Sequence, residues 1–189
     1  QRFQWQERLS ETKARELGAL INLGNQVGVD VSISVSPGIS VEYSSPTDRA
    51  AAIARFQQQL ELGARNFALL WDDIDWEMQH PTDIEKYAHI EHAQADFSNE
   101  IYVALKSQNP AIKFSVCPMI YNGRGHAKHV VELASKLHPD INLMWTGRQI
   151  RSEYLDAVDA EVFEQDAKRK PLYWDNFPVN NLSLRFELH

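Results

Sequence analysis

Hydrophobic and polar positions along this chain follow two periods that take turns. From about Ser10 to Val27, Leu17, Leu20, Ile21 and Leu23 recur at helical spacing. Val29 to Val35 then alternates between apolar and polar at every residue, which predicts a strand. Ser36–Pro37–Gly38 breaks it. Thr47–Asp48 can cap a helix running to about Leu62, with Gly63 as its stop. Asn66 to Trp71 is nearly all apolar, as buried parallel strands are. A long helical stretch from about Thr82 to Ser107 leads to a third strand, Ile112 to Cys117. A helix from about His126 to Leu137 precedes strand Ile141 to Trp145. Another, about Ser152 to Lys168, precedes Leu172 to Trp174.

This alternation predicts an α/β fold, a parallel sheet with helices outside it. An open doubly wound sheet and an arc of a (β/α)₈ barrel both fit the pattern. No glycine-rich phosphate loop follows a strand, which weakens a nucleotide-binding sheet. Five strands cannot close a ring of eight, and an intact barrel takes about 250 residues. On the barrel reading, residues 1–189 are an incomplete barrel lacking strands at both ends. Such an arc is expected to be inactive or barely active alone, because its sheet edges and apolar surface lie uncovered.

Composition narrows the function classes. The 189 residues are 43% hydrophobic and 24% charged, ordinary for a globular protein. The net charge of −7 and the lack of a basic run argue against nucleic acid and anionic membranes as partners. Apolar runs are strand-sized, so no transmembrane segment is expected, and no secretory signal opens the chain. The one cysteine, Cys117, lies in an apolar strand and reads as a buried, inert thiol.

In both architectures ligands bind beyond the carboxyl ends of the strands. Every strand end here is polar, aromatic or glycine-bearing. Asp72–Asp73 is the sharpest feature, two carboxylates closing the apolar run Phe67 to Trp71. Like charges so close favour one ionised and one protonated group, the division that glycoside cleavage needs. The same pair also fits a helix cap or a solvated loop. With Asp75 it fits a divalent-metal site and a metal-dependent barrel hydrolase. Trp71, Tyr121, Trp145 and Trp174 lie at strand ends. Aromatic faces there suit the C–H faces of a sugar, although Trp71 and Trp145 read as core. His89 with His92, and His126 with His129, are three apart and read as solvated helix faces. Asn181–Leu182–Ser183 is a weak glycosylation match.

Several motifs in order resemble family 84 glycoside hydrolases, the O-GlcNAcases. They are Val35–Ser36–Pro37–Gly38, then Phe67 to Asp75, then His92–Ala93–Gln94 with Asn99–Glu100–Ile101–Tyr102. Cys117–Pro118 with Tyr121, Trp145–Thr146–Gly147 and Trp174–Asp175–Asn176 follow. The resemblance implies a partial (β/α)₈ barrel with about five strands and five helices. It implies a retaining β-N-acetylglucosaminidase that uses the substrate's own acetamide as nucleophile, with no metal or organic cofactor. By position, Asp72 would orient the acetamide and Asp73 would act as general acid and base. Tyr121 would hold the acetamido group and Trp174 would wall its pocket. Asn176 and Asn181 would contact or support the sugar, and Thr146 and Ile150 would line the pocket. The partner implied is a protein or glycan bearing N-acetylglucosamine.

The chain also departs from the family. Asn181 stands where the family has an aspartate, Met119–Ile120 replaces a more polar pair, and Arg148 replaces a proline. The family's first strand is missing, as are a lysine and an asparagine of its sugar cradle. These departures keep open a degenerate, sugar-binding module without turnover.

Overall fold

A computed structural model of the chain describes residues 3–124 and 127–176. His126 and Asn181 lie outside the described residues. The first helix, α1 (Glu11–Val27), starts where the Ser10 hydroxyl accepts from the Lys13 N–H and ends at Gly28, whose φ of 74° is left-handed. Strand β1 (Ser32–Val35) follows, then α2 (Pro46–Glu61) and β2 (Asn66–Leu70). Next come α3 (Pro81–Lys86), α4 (Ile90–Gln108) and β3 (Lys113–Cys117). The order closes with α5 (Lys128–Lys136), β4 (Asn142–Trp145), α6 (Ala157–Ala167) and β5 (Pro171–Tyr173).

The strands form one parallel sheet in the order β1-β2-β3-β4-β5. That order separates the two architectures left open by the pattern. A doubly wound sheet reverses direction at a switch point and puts helices on both faces. Here each crossover advances by one strand in the same direction, as in a (β/α)₈ barrel. The two faces differ accordingly. Ile33, Phe67, Leu69, Phe114, Val116 and Leu143 belong to the buried core shared with the helices. Phe56 of α2 packs edge-on against Phe67 and Phe114, at 5.7 and 5.9 Å between centroids. Trp145 meets Phe163 of α6 at 5.6 Å. The opposite face carries small residues in register, Ser34 beside Ala68 and Ala68 beside Ser115.

Strand β1 begins at Ser32 rather than Val29 and α6 begins at Ala157 rather than about Ser152, and two further elements differ more deeply from their sequence expectation. The cap of α2 is Ser45, whose hydroxyl accepts from the Asp48 N–H at 3.3 Å, with Pro46 opening the helix. Asp48 instead accepts from the Glu42 N–H at 2.8 Å and from Gln6 at 2.6 Å. The stretch expected as one helix from about Thr82 is broken between α3 and α4, where Tyr87 and His89 are extended. No proline or glycine stands at this break; tertiary contacts hold it. The Asp83 carboxylate is buried and accepts the Tyr43 and Ser44 N–H groups at 2.8 and 2.6 Å. The Tyr87 hydroxyl accepts from Arg49 at 2.8 Å and donates to Asp96 at 2.6 Å. These bonds pin α3 to the loop after β1 and turn it off the axis of α4.

His89 is exposed, but His92 and His129 differ from a solvated face. His92 pairs with Glu132 at 3.0 Å and His129 pairs with Glu91, so both tie α4 to α5. Arg169 closes the far end of that layer. Its guanidinium donates to the carbonyls of Ala134, Leu137, His138 and Ile141, which satisfies the open C-terminal end of α5. No described helix is long and apolar enough to cross a membrane.

Candidate active site

The carboxyl ends of β2 to β5 carry the aspartate pair and its neighbours. The ladder runs one residue past β2, with the Trp71 N–H donating to the Cys117 carbonyl at 3.0 Å. Trp71 continues the apolar parity of Phe67 and Leu69. It is fully buried, with its ring against Phe97 of α4 at 5.9 Å and against Tyr43 at 5.5 Å. Asp72 therefore takes the opposite, inner parity, and it is only 7% exposed. A straight strand would send Asp73 back to the helix side. Instead Asp73 adopts a φ of 53°, a left-handed turn that aspartate tolerates better than most residues. The turn redirects Asp73 so that two consecutive carboxylates act on the same neighbours. Burial, then the carboxylates of Asp72 and Asp73, push the Cys117 thiol up, which keeps it protonated as the apolar strand suggested. Burial, then Asp73 and Asp72, likewise raise the Tyr121 phenol. Tyr121 thus stays a hydroxyl at neutral pH and can donate a hydrogen bond.

The loops beyond β3, β4 and β5 are laced together. The Thr146 N–H donates to the Tyr121 carbonyl at 2.9 Å and the Trp174 N–H donates to the Trp145 carbonyl at 2.8 Å. The Trp145 indole donates to the Gly123 carbonyl at 2.6 Å. Through these bonds the half-buried rings of Tyr121 and Trp174 meet at 5.6 Å between centroids and form one aromatic wall. The Thr146 hydroxyl is buried and donates to the Gln149 carbonyl at 2.8 Å, so it fixes its own loop. Ile150 stands on that loop 52% exposed, and Asn176 is half-buried just past β5. Asp72, Asp73, Tyr121 and Trp174 are brought together, while Ile150 lies at the margin. Among the described residues no group of three or more His, Cys, Asp or Glu is placed to hold a metal ion.

Two supports of this site rest on contacts that the sequence does not show, although Gly38 itself stands in the Ser36–Pro37–Gly38 break. Gly38 lies so close to the loop of the aspartates that a Cβ there would come within 2.7 Å of Ile74 Cγ2. Buried Asp159 accepts from Arg124 at 2.9 Å and also from Arg148. It thereby ties the loops after β3 and β4 to α6. The Asp159 partner of Arg148 lies eleven positions on in the sequence. A charge on a helix face rarely announces such a pairing.

Gly147 tests how tightly the rim is built. Its φ is 90°, and a Cβ would sit 2.9 Å from Ser152 Cβ and 3.2 Å from Leu155. Gly147→Ala should therefore cost about 1–3 kcal/mol of stability, read as a lowered denaturant midpoint. An unchanged midpoint would show that this loop relaxes freely.

Comparisons with known proteins give the family and the fold. The family model described as beta-N-acetylglucosaminidase matches residues 1–189. The Protein O-GlcNAcase of Rattus norvegicus is 30% identical over 186 residues, covering 95% of this chain. That of Mus musculus matches to the same extent. The chain spans 20% of the length of each of these relatives. A solved mutant of the O-GlcNAc hydrolase of Thermobaculum terrenum superposes with a TM-score of 0.89 at 25% identity. The match covers 94% of this chain and 38% of that one. With its whole length matched by the family model, the chain belongs to the beta-N-acetylglucosaminidase family.

Proposed function

We propose that the full-length protein removes terminal β-linked N-acetylglucosamine from proteins or glycans, with residues 1–189 as part of its catalytic barrel. The observation that carries this is the convergence of Asp72, Asp73 and the Tyr121 phenol at the ends of neighbouring strands. The sugar's acetamido carbonyl oxygen attacks its own anomeric carbon as the glycosidic bond breaks. Asp73 gives its proton to the departing oxygen, and Asp72 accepts the acetamide N–H. The product of this step is an oxazolinium ion whose N–H stays hydrogen-bonded to the Asp72 carboxylate, made without a protein nucleophile. Asp73, now a carboxylate, takes a proton from water as that water opens the oxazoline at the anomeric carbon. The β configuration is retained and Asp73 regains its proton. Tyr121 donates to the acetamido group and holds it in attack geometry, while Trp174 walls the pocket. Ile150 lines its margin, the buried Thr146 holds the loop that carries it, and Asn176 and Asn181 support the sugar.

The rival metal-dependent reading through Asp72, Asp73 and Asp75 has no described donor cluster behind it. The substrate itself supplies the test. An aryl N-acetylglucosaminide should be hydrolysed, and the matching aryl glucoside, which lacks the acetamide, should not. A thiazoline analogue of the oxazoline should inhibit competitively. Comparable turnover of both glycosides would exclude acetamide participation. Retention of that activity after dialysis against a chelator is also expected.

A further inference from the structure

We propose that a groove leading outward from Asp73 receives a polypeptide aglycone and selects chains with lysine or arginine close to the sugar-bearing residue. This rests on the function proposed above and extends it to the substrate class. The groove consists of two adjoining cavities. The inner one holds about 350 Å³ and is lined by Gly38, Tyr43, Asp73, Asp75, Glu77 and Gln79 among others. The outer one also holds about 350 Å³ and is lined by Trp76, Met78, Ile84, His89 and His129 among others. Glu77 and Ile90 line both cavities, so the two adjoin.

Position is the first reason to assign this groove to the leaving group. The aromatic wall of Tyr121 and Trp174 comes from the loops after β3 and β5. The inner cavity instead lies between the loop after β1 and the loop that follows Asp73. Because β1 and β3 flank β2 on opposite sides, Asp73 stands between the two spaces. A general acid must touch the glycosidic oxygen, so the leaving group begins at its carboxyl. A sugar held against Tyr121 and Trp174 would direct its aglycone across Asp73 and into the groove.

Charge and apolar surface supply the second reason. Asp75 and Glu77 are exposed carboxylates on the groove wall, and among the described residues no lysine or arginine lines either cavity. A cationic side chain is the complement. Trp76 is 54% exposed and Ile84 is 60% exposed, unusual for large apolar side chains beside an active site. The Trp76 ring is held edge-on against His129 at 4.6 Å, and His129 is itself fixed by Glu91. A ring held in this way offers a face to a guanidinium or to the alkyl stem of a lysine.

The test compares three substrates of the full-length protein. They are an aryl N-acetylglucosaminide, a glycopeptide with Lys and Arg flanking the sugar-bearing serine, and the same peptide with Glu at those positions. The basic peptide should exceed the acidic one in kcat/KM by roughly tenfold at low salt. The margin should narrow as salt is raised. Trp76→Ala and Glu77→Gln should each cut the ratio of basic-peptide to aryl-sugar kcat/KM several-fold. Equal rates for the two peptides, or a ratio that neither salt nor either variant moves, would overturn the groove assignment. No hydrolysis of the aryl sugar by the unaltered protein would instead overturn the underlying function.

Discussion

Replacing Asp73 by asparagine should lower kcat by roughly 10²-fold or more, the usual yield of a positioned acid–base group. The loss should depend on the leaving group. An alkoxide cannot depart without a proton, so an alkyl or seryl glycoside should lose the full factor in kcat/KM. An activated aryl leaving group departs unaided, so its kcat/KM should fall far less. Its kcat should still drop, because the water that opens the oxazoline then lacks a base. The backbone gives the variant a fair chance to fold, since asparagine tolerates the left-handed φ of 53° at this position as well as aspartate does. A uniform loss across leaving groups would assign Asp73 to positioning rather than to proton transfer.

Asp72→Asn should be at least as damaging, with a different signature. Asp72 lies at the buried end of β2, where water screens little. An amide oxygen there can still accept the acetamide N–H, but it cannot balance the positive charge that grows as the oxazoline forms. By analogy with the loss of an electrostatic stabiliser in a dry site, kcat should fall by roughly 10²–10³-fold. The fall should be the same for aryl and alkyl leaving groups, since both share the attack of the acetamide. Steady-state kinetics on a leaving-group series of both variants separates the two carboxylates. If Asp72→Asn and Asp73→Asn gave the same slope against leaving-group pKa, the division of roles would fail.

The contrast between the two variants follows from one local feature. Consecutive residues on a strand point to opposite faces, so an aspartate pair at a strand end does not by itself form a site. The Asp73 turn brings both carboxylates to bear on Tyr121 and Cys117. Asp-Asp after an apolar run is visible in the sequence, but the turn that makes the pair cooperate is not. The same holds for the supports. Gly38 against Ile74, and Asp159 between Arg124 and Arg148, depend on contacts that no local spacing encodes.

Local chemistry alone was enough for the strands, their parallel direction, their core faces and Asp72–Asp73 at a strand end, but not for the face of α1, where Leu20 and Leu23 are exposed. Apolar runs of strand length and helical spacing of leucines act over a few residues, so the chain carries them openly. The helix boundaries shifted where distant groups competed for backbone bonds, as Asp83 does for the N–H groups of Tyr43 and Ser44. Strand order, the break between α3 and α4, and the groove beside Asp73 required the tertiary structure. Each depends on residues tens of positions apart in sequence, which meet only when the layers pack.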